Sequence, residues 1–218
     1  MTAPATITDL LRRNAAATPD RPFAVTEDGT HGYAAIHDAS LRLSGHLAGE
    51  GIRPGDHVAL AAGNSAAYLV AWFGIMAAGA VAVTINPALV GDGLAYVLRQ
   101  SEARLLIADE AFLTGAFADV GKAAPDLPVL RIRGEEAFLA EAAGWPVPTA
   151  RVERPASAPA TILYTSGTTG APKGVVNSHA AYLAAGRHTA AMVGLTPADR
   201  CMVVLPLFHA NPQMYAVM

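Results

Sequence analysis

The sequence predicts an α/β fold in which helices cover a layered sheet. Hydrophobic residues make up 52% and charged residues 15% of the 218-residue chain, enough apolar content for a sizeable core and too much for a disordered chain. Apolar residues recur at helical spacing in several segments, and short β-branched runs separate those segments. Because the two patterns alternate along most of the chain, we expect a sheet with helices packed against it.

The first elements predicted are a helix and a hairpin. A hydroxyl at Thr6 or Thr8 can cap a helix that must end before Pro19. Asp28 and Gly29 then join two short β-prone runs, which is typical of a hairpin.

After the hairpin, helical and strand patterns alternate. Apolar spacing predicts helices over residues 36–47, 66–78, 94–100, 111–122 and 180–192. Short apolar, β-branched runs predict strands over residues 58–62, 81–85, 105–108, 129–132, 161–164, 174–176 and 201–205.

Residues 66–85 carry no charged side chain, and this uncharged segment is long enough to span a bilayer as a helix. Gly79, however, separates a helix-like half from a β-branched half, and Asn86 and Pro87 follow as a turn. We therefore expect a buried helix that feeds a central strand, and no membrane partner.

The net charge and the cysteine content limit the classes of partner and the compartment that we expect for this chain. The net charge of −3 and the pI near 6.1 leave no basic surplus, so we expect no nucleic-acid partner. Cys201 is the single cysteine and cannot form an internal disulfide, which fits a reducing cytoplasm, and we expect it to be a buried thiol. No basic, apolar leader resembles a secretory signal, so a cytoplasmic location is predicted.

Residues 144–159 are rich in proline and lack periodicity, so they form the best candidate boundary. We predict a first α/β subdomain over residues 1–150 and the start of a second over residues 151–218. His179 is expected to lie at the start of a helix in the second subdomain.

The most informative segment is the loop that begins after residue 164. It combines glycines, hydroxyl side chains and one lysine behind a β-prone run. Backbone N–H groups, hydroxyls and an ammonium group can converge there on an anion. We predict a polyphosphate site formed by Thr165, Ser166, Gly167, Thr168, Thr169, Gly170 and Lys173.

The spacing argues against two common nucleotide loops. A Walker loop needs Gly-Lys followed by Ser or Thr, whereas Pro172 precedes Lys173 and Gly174 follows it. The Rossmann fingerprint fails because Tyr96 stands where the third glycine is required. A Rossmann oxidoreductase is disfavoured, and a Walker-type ATPase stays as the weakest alternative.

Residues 164–174 resemble the phosphate-binding signature of the adenylate-forming superfamily, which includes acyl-CoA synthetases, nonribosomal adenylation domains and luciferases. Residues 32–60 and 74–87, with a Gly-x-x-Pro-Gly-Asp turn and an Asn-Pro pair, resemble further motifs of the family. The run from Leu205 to His209 resembles its substrate-side motif. The resemblance implies layered α/β subdomains of a truncated N-terminal domain.

The resemblance also implies an ATP-dependent, AMP-forming acid ligase. An acid would attack the α-phosphorus of ATP and release pyrophosphate, and coenzyme A or a carrier-protein phosphopantetheine would then take the acyl group. The implied cofactors are ATP and Mg²⁺, with a carboxylic acid as substrate. Nitrite, adenylated in secondary metabolism, is the alternative oxyanion.

Three residues near the end of the sequence are candidates for the substrate pocket. His209 follows an apolar run and a proline turn, and by position alone an ordinary core or surface histidine is the favoured interpretation. The resemblance implies that His209 borders the acyl pocket, with Asn211 and Gln213 lining the same pocket. A helix cap is the alternative for Asn211.

Downstream signatures of the superfamily, including the lysine of a mobile C-terminal domain, are absent from this sequence. Lys173 is not that lysine, so we assign no catalytic residue and leave the metal ligands unknown. We expect little or no ligase activity from the 218-residue chain alone. A non-catalytic nucleotide-binding chain, or a half-enzyme that needs a partner, is the alternative from a different class.

Overall fold

The computed structural model describes residues 5–121, 126–165 and 171–218. The strands are β1 Pro22–Val25, β2 Thr30–Gly32, β3 His57–Ala61, β4 Val81–Thr84, β5 Leu105–Asp109, β6 Val129–Ile132, β7 Pro159–Thr165 and β8 Lys173–Ser178. The helices are α1 Ile7–Ala17, α2 Tyr33–Gly49, α3 Ala66–Ala77, α4 Gly91–Gln100, α5 Glu110–Thr114, α6 Phe117–Val120, α7 Glu135–Ala143, α8 His179–Val193 and α9 Ala210–Pro212. A π-helical turn follows over Gln213–Val217.

The centre of the fold is a six-stranded sheet with the order β6-β5-β3-β4-β7-β8, and β1 and β2 form a separate antiparallel hairpin. The first five strands of that order run parallel, whereas β8 returns antiparallel to β7. The carboxyl ends of the parallel strands therefore share one edge of the sheet, which we call the carboxyl edge. The predicted α/β class is confirmed.

Helices cover both faces of the sheet. Successive residues of a strand point to opposite faces, so each strand can contribute side chains to both layers of the core. Val58 and Leu60 of β3 join a cluster with buried residues of α1, α2, α3, α7 and α8. Ala59 and Ala61 join a second cluster with α4, α5 and α6. The core is thus a helix-sheet-helix sandwich.

Helix α3 lies inside the first cluster. Ser65 caps it by accepting a hydrogen bond from the Tyr68 N–H, and Tyr68 and Trp72 are fully buried. It is followed by β4, in the interior of the sheet, so the expectation of a buried helix that feeds a central strand is confirmed. No helix within the described ranges is both long and apolar enough to cross a membrane.

The single helix predicted over residues 111–122 is wrong in part. Two short helices, α5 and α6, stand there, and Gly115 ends the first with φ −97° and ψ −104°. A Cβ at Gly115 would lie 2.8 Å from the Ala111 carbonyl oxygen. Only glycine fits this approach, and the helix breaks.

The strand predicted over residues 201–205 is also wrong. The sheet ends at β8, and residues 201–205 have no regular secondary structure. Cys201 is exposed, which corrects the expectation of a buried thiol. An apolar run alone predicts a strand only where a neighbouring strand is free to pair with it.

The division predicted after residue 150 stays a prediction. β7 lies beyond that position and pairs with β4, so the central sheet contains strands from both sides of it.

Candidate functional site

The ends of the predicted phosphate loop lie at the carboxyl edge. β7 ends at Thr165 and β8 begins at Lys173, and these two residues are direct partners in the strand pair. Both are exposed, and the Thr165 Oγ1 donates to the Lys173 carbonyl oxygen at 3.5 Å. Five further members of the predicted site lie outside the described residues: Ser166, Gly167, Thr168, Thr169 and Gly170.

Tyr164 anchors the hairpin on the α4 side of the sheet. It packs against the second core cluster, and its hydroxyl donates to the Gln100 side-chain oxygen. Burial raises the pKa of Tyr164, and the nearby Tyr96 adds to the rise. The hydroxyl therefore stays protonated as a donor, and the base of the loop is tied to α4.

A second segment crosses the carboxyl edge, and we call residues 205–209 the strap. Asn64, in the loop after β3, donates through Nδ2 to the Leu205 carbonyl at 3.0 Å and accepts the Leu207 N–H through Oδ1 at 2.7 Å. At the end of β4, the Thr84 hydroxyl donates to the Phe208 carbonyl at 3.0 Å. The strap is therefore fastened to the ends of two parallel strands.

A buried polar network lies beneath the strap. The Leu207 carbonyl accepts from the Tyr68 hydroxyl at 3.1 Å and from the Gln213 Nε2 at 2.7 Å. The Gln213 Oε1 accepts from the Tyr182 hydroxyl, which in turn lies 2.8 Å from the Thr161 Oγ1 of β7. Burial raises the pKa of both tyrosines, so both hydroxyls remain protonated.

The three predicted pocket residues do not share one environment. His209, the last residue of the strap, and Asn211 are exposed, and the rings of His209 and Phe208 lie 4.1 Å apart. Gln213 is only 1% exposed, and its amide is used entirely within the network. Asn211 lies inside α9, whose N-terminal cap position is His209, so Asn211 is not that cap.

The described residues contain no group of three or more His, Cys, Asp or Glu side chains able to hold a metal ion. The Lys173 ammonium and the Thr165 hydroxyl are groups that can donate hydrogen bonds to phosphate oxygens.

Sequence reasoning missed the residues that hold the strap. Asn64 precedes the helix predicted over residues 66–78, and Thr84 lies within the strand predicted over residues 81–85, so neither position is marked as a functional one. A hydroxyl at the end of an otherwise apolar buried strand was a usable signal, because a buried polar group needs a partner. Tyr68 and Tyr182 gave no such signal, since aromatic residues at helical spacing are ordinary core residues.

Comparisons with known proteins agree with this geometry. The family model described as AMP-binding enzyme matches residues 11–218. A long-chain-fatty-acid–CoA ligase of Thermus thermophilus is 35% identical over 82% of this chain, and a 3-methylmercaptopropionyl-CoA ligase of Ruegeria pomeroyi is 35% identical over 85%. A solved anthranilate CoA ligase in complex with anthranoyl-AMP superposes with a TM-score of 0.88, at 26% identity over 98% of this chain.

The chain spans only part of these proteins: 34% and 37% of the two curated relatives and 42% of the solved structure. The family match over residues 11–218 spans the β7–β8 hairpin, the strap, the second core cluster and all of the first core cluster except Ile7. The α/β fold and the position of the matched residues thus agree with the resemblance found in the sequence. The chain belongs to the AMP-binding enzyme family, and its relatives include CoA ligases.

Proposed function

We propose that this chain carries the ATP-phosphate side and the acid side of an AMP-forming acid–CoA ligase. One observation supports the proposal above the others: the ends of the phosphate loop, Thr165 and Lys173, lie at the same sheet edge as the strap that presents His209. Ligands of open α/β sheets bind at the carboxyl ends of the strands. A nucleotide and an acid can therefore meet at this edge.

In the proposed first step, a carboxylate oxygen of the acid forms a bond to the α-phosphorus of ATP. The bond from that phosphorus to the bridging β-oxygen breaks, and pyrophosphate leaves with the electron pair. The Lys173 ammonium and the hydroxyls of the loop neutralise the β and γ phosphates as charge moves onto them. The rest of the rate gain comes from holding the two reactants in line.

In the proposed second step, the thiolate of coenzyme A attacks the acyl carbon of the acyl adenylate. A carbon–sulfur bond forms, the bond from the acyl carbon to the AMP oxygen breaks, and AMP leaves. Mg²⁺ enters as part of the Mg–ATP substrate and screens its phosphate charge. The described residues of this chain contribute the loop ends and the strap.

The acid is proposed as a carboxylic acid because the relatives are named for such substrates. His209 at the end of the strap and Asn211 just after it are exposed, and both lie on the acid side in this proposal. Nitrite is the alternative oxyanion, and a carrier-protein phosphopantetheine is the alternative thiol.

The proposal is tested by ATP–pyrophosphate exchange in the complete gene product and in the 218-residue chain. Substrates are long-chain fatty acids, 3-methylmercaptopropionate and anthranilate, with nitrite assayed separately. Lys173→Ala is expected to lower acid-dependent exchange about 100-fold, because one preformed contact to a developing charge is worth that much. Thermal stability should be unchanged, since Lys173 is exposed.

The matched control is Arg53→Ala. Arg53 is an exposed cation in the loop before β3, at the edge of the sheet opposite to Lys173, so its removal should leave exchange unchanged. A Lys173→Ala protein with full exchange would overturn the assignment of the loop. Nucleotide hydrolysis without any acid would instead revive the ATPase alternative.

A half-enzyme that needs a partner is a second candidate, favoured by exposed apolar side chains on β8, near the end of α8 and after it. Val176, Met192, Met202 and Val204 are each more than half exposed. Such a surface is typical of an interaction site. Exchange that the chain lacks by itself and gains when a separately produced polypeptide carrying the downstream superfamily signatures is added would support this reading, whereas full exchange by the chain alone would contradict it.

A further inference from the structure

The strap has no strand partner, so its backbone groups must find other hydrogen-bond partners. Residues 201–208 lie outside any helix or strand, yet Leu207 is buried. A buried backbone N–H or C=O without a partner is costly, which is why nearly all such groups are paired. Here side chains take the place of a neighbouring strand.

Four side chains from separate parts of the fold do this work. They bond the carbonyls of residues 205, 207 and 208 and the N–H of residue 207. We call them the clamp: Asn64, Tyr68, Thr84 and Gln213. The strap ends at His209, whose own N–H closes a turn on the Pro206 carbonyl at 3.0 Å.

Three members of the clamp are rigid. Tyr68, Thr84 and Gln213 are each at most 2% exposed. The Gln213 side chain donates a hydrogen bond through Nε2 and accepts one through Oε1. The Tyr182 hydroxyl links it to Thr161 of β7, the strand that leads into the phosphate loop. The network therefore connects the strand of the phosphate side with the backbone beneath His209.

We propose that Asn64, Tyr68, Thr84 and Gln213 are positioning residues that set the place of His209 against the acid. This inference rests on the proposed function and assigns Gln213 a role beneath the strap instead of in the pocket. A shift of about 1 Å in a substrate-positioning group can cost about 100-fold in rate. Loss of a clamp bond should therefore affect the acid much more than ATP.

The test uses Thr84, because Thr84→Val removes the hydroxyl while keeping the shape of the side chain. In the complete gene product, Thr84→Val is expected to lower kcat/KM for the best acid of the panel at least about 10-fold, with KM for ATP changed less than about 2-fold. Thr84→Ser restores the hydroxyl and should recover most of the loss. Ser101→Ala, which removes a buried hydroxyl bonded within its own helix end, is the matched control and should change neither constant.

A double-mutant cycle with His209→Ala separates positioning from general stability. If Thr84 acts through His209, Thr84→Val should cost nothing further once His209 is alanine, because coupled residues are non-additive. Amide hydrogen exchange of residues 205 and 207–209, measured in the 218-residue chain, should be at least about 10-fold faster in Thr84→Val than in the wild type.

The outcomes are distinguishable. Equal losses for acid and ATP, or an undiminished Thr84→Val effect in the His209→Ala background, would overturn the positioning role while leaving the proposed function standing. Unchanged amide exchange in the strap would overturn the clamp itself. A wild-type complete gene product without exchange for any acid would overturn the proposed function, and the assignment of His209 to an acid with it.

Discussion

At the residue scale, burial sets the chemistry of His179. This first residue of α8 is 2% exposed, and its Nδ1 accepts the Ile7 N–H of α1 at 3.4 Å. Burial and, to a smaller extent, the positive charge of Arg154 lower the pKa of His179, Asp9 opposes them, and the net pKa is about 4. The imidazole is therefore a neutral acceptor that joins α1 to α8, which agrees with its predicted place at a helix start.

We expect the stability of the chain to fall as pH drops from 6.5 to 4. The unfolded chain binds a proton at His179 near its ordinary pKa of 6.5, whereas the folded chain resists it down to about 4. Stability from this group is thus complete above pH 6.5 and decreases below it, by roughly 3 kcal/mol in total. Urea unfolding at a series of pH values measures the slope.

His179→Asn supplies the control for that slope. Its amide oxygen can accept the Ile7 N–H but does not titrate, so the decrease between pH 6.5 and 4 should largely disappear. An asparagine variant with the wild-type slope would assign the pH dependence to another group.

At the element scale, close approach of helices depends on missing side-chain atoms. A Cβ at Gly74 of α3 would lie 2.7 Å from a Leu43 methyl carbon of α2. Leu43 is fully buried, so it has little room to move. Glycine at this position lets α2 and α3 pack tightly across the core.

Gly74→Ala is expected to lower the free energy of unfolding by about 1–2 kcal/mol. The gain of up to about 1 kcal/mol in helix propensity is outweighed by the cost of overpacking the α2–α3 contact. Gly49→Ala in α2 is the matched control, because a Cβ there meets nothing within 4 Å. It should be neutral or slightly stabilising in chemical denaturation.

Combining Gly74→Ala with Leu43→Ala tests whether the contact between these two residues causes the loss of stability. Leu43→Ala should relieve part of the Gly74→Ala cost, so the double variant should be more stable than the sum of the single changes predicts. Additive losses would show that the contact with Leu43 is not the cause.

At the scale of the whole molecule, Glu135 joins three parts of the fold. It begins α7, and its carboxylate accepts from the Thr26 hydroxyl and from His31 Nε2 of the β1–β2 hairpin, each at 2.7 Å. It also accepts the Ala66 N–H at the start of α3. Burial acts to raise the pKa of Glu135, but these hydrogen bonds and the His31 charge lower it overall.

Glu135→Ala is expected to cost about 2–4 kcal/mol of stability, because it leaves buried donors without their charged acceptor. Glu136→Ala, at the exposed neighbouring position, should cost little. The lowered pKa of Glu135 means that its contribution is present above the ordinary value of 4.5 and is lost as pH falls below it. Unfolding midpoints of the wild type and both variants are measured at pH 7 and pH 3. The stability that Glu135→Ala loses relative to the wild type should be smaller at pH 3. An equal loss at both pH values would exclude the charged contact.

Much of this fold could be predicted from the sequence. Helix α1 begins where Thr6 and Asp9 form a reciprocal cap, and α3 and β4 lie where the apolar pattern changes its period. Helix α7 was missed, because it follows Gly134 with φ 99° and carries only a short apolar pattern. The break at Gly115 and the absence of a strand over 201–205 depend on neighbours that no local pattern contains.

The candidate site could likewise be predicted from the sequence only in part. The family, the phosphate loop and the strap motif could be identified from ordered residues, and the roles of Lys173, Thr165, His209 and Asn211 stay predictions. For Gln213, the family resemblance implies a position in the pocket with His209. The structure instead buries it beneath the strap, where its partners come from α3 and α8. The cytoplasmic location also stays a prediction.

The sequence by itself determined the α/β class, the helix caps, the order of strands along the chain and the family. These properties depend on residues within a few positions of each other, or on motifs read in order. Tertiary structure alone decided which side chains hold the strap and which carboxylate ties the hairpin to α3. Asn64 and Leu205 are 141 positions apart, and Thr26 and Glu135 are 109 apart. Buried polar groups must find partners wherever packing brings them, and packing of the whole chain brings these together.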